Sequence, residues 1–142
     1  PIKGRIYFPG TMKVEWIKVP GRPLSAQAKL KKHHVELIQS CGRQRFQTPW
    51  SGPLSVQIFY VIDRCTGSTP DLDNLDKLVL DALKSIAYLD DGQIRSRKSE
   101  RFYCGEPVIS SAPIMPPASE LQKTAQLQKE ECTFIGVTDV LL

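Results

Sequence analysis

Apolar residues take every second position in "GPLSVQIFYVID", at Leu54, Val56, Ile58, Tyr60 and Ile62. That is the period of a β-strand. Phe59 and Val61 make its other face apolar too, which predicts a strand inside a sheet rather than at its edge. Past the Gly/Ser/Pro-rich "RCTGSTP" the period changes. Leu75, Leu78, Val79, Ala82, Leu83 and Ile86 recur at helical spacing and predict a helix from Asp73 to Ala87. Asp73, Lys77, Asp81 and Lys84 fall opposite that stripe, within about one quarter of the circumference. "QIRSRKSERFYC" reads as the next strand. Strand, helix and strand fit a βαβ crossover, with a hairpin-side placement of the last strand as the alternative.

Upstream, "GRIYF" and "KVEWIKV" read as two short strands around a turn at Pro9-Gly10. "LSAQAKLKKHHVELIQSCG" reads as a helix capped by Ser25 and ended by Gly42. Leu30, His34, Leu37, Ile38 and Cys41 share one of its faces, and Lys29, Lys31 and Lys32 lie largely away from it. Downstream, "GEPVISSAPIMPPAS" reads as a loop, "ELQKTAQLQKEE" as a short polar helix and "CTFIGVTDVLL" as a final strand. The expected fold is α/β (α+β): one domain over 1–142, a small mixed sheet flanked by helices. Residues 105–131 are expected as a loop-plus-helix insertion.

Charge changes the picture more than composition does. The 142 residues carry a net charge of +4, and the first 45 hold ten Lys/Arg against two Glu. A basic surface favours an anionic partner such as nucleic acid. No apolar run approaches the ~20 residues of a membrane span, and "PIKGRIYFPG" lacks a signal-peptide core. A cytoplasmic location is therefore expected. Cys41, Cys65, Cys104 and Cys132 show no metal-knuckle spacing and are expected as free thiols. His33 and His34 point ~100° apart on a helix, which suits a solvent residue and a core-edge residue better than a shared ion.

Against this basic background, six carboxylates crowd into residues 71–91. Asp71 and Asp73, two apart at a helix mouth, point the same way in an extended segment. Asp90-Asp91 follow the helix. Fourteen helical residues span ~20 Å, so Asp91 meets Asp73 only if the loop folds back or the next strand runs beside the first. Converging carboxylates repel and persist when a divalent cation neutralises them. Hard oxygen ligands suit Mg²⁺ or Mn²⁺, and such an ion activates water against a phosphodiester. Lys77, one turn after Asp73, can orient a carboxylate or touch the phosphate. A structural reading stays open beside this one. Asp71 or Asp73 can cap the helix, Asp73–Lys77 can pair across one turn, and Asp90-Asp91-Gly92 can be a plain turn. The spacing fits neither an EF-hand, since Leu75 and Ala82 stand where ligands are needed, nor a P-loop.

"PDLDNLDKLVLDALKSIAYLDDGQI" resembles the signature of the RusA family of Holliday junction resolvases: D-x-D-N-x-x-K, D-A-L, then D-D-x-Q-I. The resemblance implies a small α/β homodimer acting as a Mg²⁺-dependent endonuclease on four-way or branched DNA. It implies Asp71, Asp73 and Asp91 as the metal-binding catalytic carboxylates and Lys77 as a functional lysine. Asn74, Asp81 and Asp90 match the pattern in supporting positions. Where some members carry a basic run before the first Asp, this chain has "GSTP". Arg95, Arg97 and Arg101 share one strand face after Asp91, with Lys98 beside them, and are the nearest candidates to grip DNA phosphates. Lys29, Lys31, Lys32, Arg43 and Arg45 are weaker ones. Trp16, Phe46, Trp50 and Tyr88 can stack on opened bases, although packing is the commoner role of large aromatics. Two other functions are carried alongside. One is a junction-binding protein without nuclease activity, and the other a Mg²⁺ phosphodiesterase with a different nucleic-acid substrate.

Overall fold

The computed structural model describes residues 13–64 and 69–140. The strand and turn expected near residues 4–10 lie outside the described residues. Four strands form one sheet: β1 (Val14–Pro20), β2 (Leu54–Ile62), β3 (Ile94–Tyr103) and β4 (Cys132–Asp139), in the order β1-β4-β2-β3. β2 and β3 are parallel, while β4 is antiparallel to both β1 and β2. The mixed sheet and its flanking helices are the α+β fold expected. The strand after the acidic helix takes the crossover position.

Helices α1 (Lys32–Arg45) and α2 (Leu72–Leu83) cover one sheet face. Under them Ile17, Val19, Leu54, Val56, Ile58, Tyr60, Ile62, Ile135 and Val137 meet Ile38, Leu75, Val79 and Leu83 in one core. The alternation in β2 thus does what its pattern predicts. Its other face, Phe59 and Val61, joins Phe102, Cys132 and Phe134 in a second core capped by Leu121 and Ala125. Those two caps come from a helical turn, Glu120–Gln122, that runs on as a π-helical stretch, Lys123–Gln128. The segment read as an insertion is therefore the cover of the second sheet face. Without it three phenylalanines, Phe59, Phe102 and Phe134, would lose that cover, each worth roughly 1.5–3 kcal/mol when fully buried.

Both helix boundaries differ from expectation. α1 begins at Lys32, not at Ser25. Ser25 instead closes a turn, its Oγ accepting from Gln27 N–H at 3.2 Å. Ala26 N–H donates to the Asn74 carbonyl at 3.0 Å, which ties this loop to α2. Leu30, expected on the apolar face, is 90% exposed, whereas His34 and Ile38 are buried. Gly42 lies inside α1 rather than after it. A Cβ there would stand 2.8 Å from Leu83 Cδ2, so the glycine permits close approach of α1 and α2. α2 stops at Leu83 because Ser85 turns into the left-handed region (φ 72°).

Cys41, Cys104 and Cys132 are free thiols. Among the described residues no helix is long and apolar enough to cross a membrane.

Candidate nuclease site

The crossover fixes the two ends of the acidic stretch. α2 leaves the C-terminal edge of β2 and returns over β3, and its 12 residues span about 18 Å. Asp71 is its N-cap, with Oδ1 accepting from Asn74 N–H at 2.9 Å. Asp73 occupies the first turn, exposed, with Oδ1 3.5 Å from Arg97 Nη2. Negative charge is favoured at this positive end of the helix dipole.

Asp91 stands at the other end. It opens the 3₁₀ turn Asp91–Gln93, and its Oδ2 lies 3.9 Å from Lys84 Nζ. Asp90 caps that turn by accepting from Gly92 N–H at 3.1 Å. Gln93 pins it from the other side. Its Oε1 accepts from Leu89 N–H (2.8 Å) and Asp90 N–H (2.9 Å), and its Nε2 donates to the Trp50 (2.7 Å) and Gly52 (2.9 Å) carbonyls. The D-D-x-Q order thus builds a rigid turn, in which Asp90 and Gln93 are structural and Asp91 is left in solvent.

A groove of about 520 Å³ runs between the exposed face of α2 and β3, lined among others by Lys77, Asp81, Asp91, Arg95 and Arg97. Lys77 pairs forward with Asp81 at 3.4 Å. The alternative pairing of Asp73 with Lys77 gives way to Asp73–Arg97. Arg95, Arg97 and Arg101 share a face, as the alternation predicts, but their surroundings differ. Arg95 and Lys98 are exposed. Arg97 is engaged by carboxylates, and Arg101 Nη2 donates to the Pro70 carbonyl, holding the segment that precedes Asp71. The aromatic candidates pack. Trp16 stacks on Phe59, Phe46 and Trp50 meet edge to face, and Tyr88 is buried.

Asp76 lies outside the residues that the signature singles out. It is 1% exposed beneath the mouth of α2. Tyr60 Oη donates to it at 2.5 Å and Ser99 Oγ at 2.8 Å, and Arg97 Nε lies 3.3 Å away. Burial raises its pKa above the ordinary carboxylate range, against the pull of these three partners. The signal was present: Asp76 shares the helix face of Leu72, Val79 and Leu83, an acid inside an apolar stripe.

Asp71, Asp73 and Asp91 do not meet within one chain. Among the described residues no three His, Cys, Asp or Glu side chains are grouped closely enough to hold a metal ion. The physical reason is the antiparallel run of α2 over β3. It sets the Asp71/Asp73 pair and Asp91 at opposite ends of the same helix.

The family model described as endodeoxyribonuclease RusA matches residues 12–110, more than half of the chain. The chain belongs to the RusA endodeoxyribonuclease family. The match spans β1, α1, β2, α2 and β3, and with them the whole acidic stretch and its groove. It stops before β4, although β4 lies between β1 and β2 in the sheet. RusA proteins act on branched DNA, so DNA is the substrate class that this groove, with Lys77, Arg95 and Arg97 beside Asp81 and Asp91 in its walls, has to meet. No curated protein matches the chain.

Proposed function

We propose that this RusA-family chain resolves four-way DNA junctions by Mg²⁺-dependent hydrolysis of phosphodiesters, with Mn²⁺ able to substitute. The observation that carries the reading is a pair of exposed carboxylates at the mouth of α2, near a groove walled by Lys77, Arg95 and Arg97 together with Asp81 and Asp91. The donor set fits the ion. Mg²⁺ takes one or two carboxylates and leaves its other positions to water and substrate phosphate. Asp71 and Asp73 would hold it; Asp91, which the family signature also points to, lies at the groove's far end, out of reach of that pair within one chain. When bound, the ion supplies an activated water and offsets charge on the phosphodiester.

The chain's own residues prepare that chemistry. Asp71 fixes the start of α2 with one oxygen and keeps the other for a ligand. Lys77 points an ammonium into the groove, where a phosphate oxygen would lie. Arg95 and Arg97 make the approach attractive to the backbone and add affinity through counterion release, whereas Lys98 alternates to the opposite sheet face. Arg101 holds Pro70, so that Asp71 starts from a fixed place. Asn74, Asp81 and Asp90 support the site through the loop before α1, through Lys77 and through the Asp91 turn. A junction has two strands to cut symmetrically, which calls for two sites. We propose a two-fold homodimer, the commonest assembly.

The test is a panel of four-way junction, flap, duplex and RNA in Mg²⁺, with wild type, Asp71→Asn and Asp91→Asn. The reading predicts paired symmetric cuts in the junction and background cleavage by either variant, with junction binding kept. Asn caps a helix as well as Asp does, so Asp71→Asn should melt like wild type. Binding without cutting under every divalent ion would favour the non-catalytic junction binder. Cleavage of RNA or duplex in preference to the junction would favour a different phosphodiesterase.

A further inference from the structure

Arg97 is shared by two carboxylates of different standing. Its Nε edge lies 3.3 Å from Asp76, 1% exposed and bonded as well to Tyr60 and Ser99. Its Nη2 lies 3.5 Å from Asp73, whose side chain is 91% exposed. A buried, hydrogen-bonded charge pair is costly to break on one side, whereas an exposed pair is weak. The two contacts therefore differ in how easily they open. Arg97 also lines the groove, its side chain 42% exposed, from a position in β3 where pairing with Val56 of β2 fixes the backbone. A planar fork can serve two carboxylates at once, which a lysine ammonium does poorly.

We infer that Asp76 is a positioning residue that keeps Arg97 as a resident counter-ion for Asp73, and that the outer edge of Arg97 passes to a DNA phosphate when a divalent cation takes that carboxylate. The inference rests on the metal-dependent reading above. The inner edge stays on Asp76 throughout, so the arginine turns toward substrate without leaving the wall. In this account Arg97 keeps Asp73 matched in charge before the ion arrives and places a cation beside the phosphate afterwards.

Two measurements without turnover test it: Mn²⁺ binding to the DNA-free protein by electron paramagnetic resonance, and junction affinity across a salt series in Ca²⁺. Arg97→Gln removes the competing cation. It should bind Mn²⁺ about two- to fivefold tighter, the range an exposed ion pair supports. Its slope of log affinity on log salt should fall by about one. Asp76→Asn keeps the arginine and therefore the slope, and should weaken junction binding at every salt concentration. Should Arg97→Gln not fold, Arg97→Lys decides: Mn²⁺ tightens while the slope stays. Folded Arg97 variants with wild-type Mn²⁺ affinity overturn the proposal, as does a wild-type slope in Arg97→Gln. A wild-type protein that binds neither Mn²⁺ nor junction removes the metal reading, and this proposal with it.

Discussion

At the residue scale, Asp76 shows what a buried acid requires. Two hydroxyls and a guanidinium meet it, and burial still leaves its pKa raised. Burial, and then the neighbouring Asp76, raise the pKa of Tyr60, which keeps that hydroxyl a donor. Tyr60→Phe removes one partner from a carboxylate that water cannot reach. It should cost about 1–3 kcal/mol in denaturant unfolding. Asp71 gives a contrasting case at the surface. Asp71→Ala should lose about 1 kcal/mol as a missing cap while Asp71→Asn loses little, which separates capping from chemistry. The D-x-D-N-x-x-K spacing made Asp71, Asp73 and Lys77 legible because they are local in sequence. Asp76 was harder to read, since Tyr60 and Ser99 come from two other strands, 16 and 23 residues away.

At the scale of elements, the residue pattern located β2, β3, β4 and the body of both main helices: β2 and β4 are apolar on both faces, and each helix buries one stripe. Boundaries were less legible where tertiary contacts decide them. Residues 25–31 have the polarity of a first helical turn, yet docking of Ala26 on Asn74 makes them a loop. α2 ends early because Ser85 N–H donates to the Tyr88 carbonyl at 2.7 Å. His34 faces the core from α1, its pKa lowered first by burial and then by His33. The unfolded chain therefore takes up a proton, below its ordinary value near 6.5, that the fold resists. Stability from this residue is present above that pH and is lost as pH falls through the folded value. Denaturant midpoints from about pH 7.5 to about pH 5.5 should fall in wild type and flatten in His34→Leu. Gly136 of β4 lies opposite Trp16 of β1, and a Cβ there would stand 2.7–2.9 Å from the indole. Gly136→Ala should destabilise by about 1–3 kcal/mol and shift tryptophan emission as the ring is displaced.

At the scale of the molecule, the parts the sequence concealed are those set by distant pairing. That β4 inserts between β1 and β2, and that residues 105–131 roof the second core, depend on contacts no local pattern encodes. The same holds for the acids. Their spacing marked them as a set, and only the direction of α2 reveals that Asp71/Asp73 and Asp91 bracket a groove instead of meeting at a point. If the chain works as a two-fold dimer, sedimentation at working concentration should give twice the chain mass. An active monomer would count against it. The most direct test of the central claim, that the mouth of α2 holds the divalent ion, is anomalous diffraction from crystals soaked in Mn²⁺. The account predicts a peak between the carboxylates of Asp71 and Asp73, with the Arg97 side chain turned away from Asp73. Mn²⁺ bound elsewhere while those two carboxylates stay bare, in protein that cuts junctions, would contradict it.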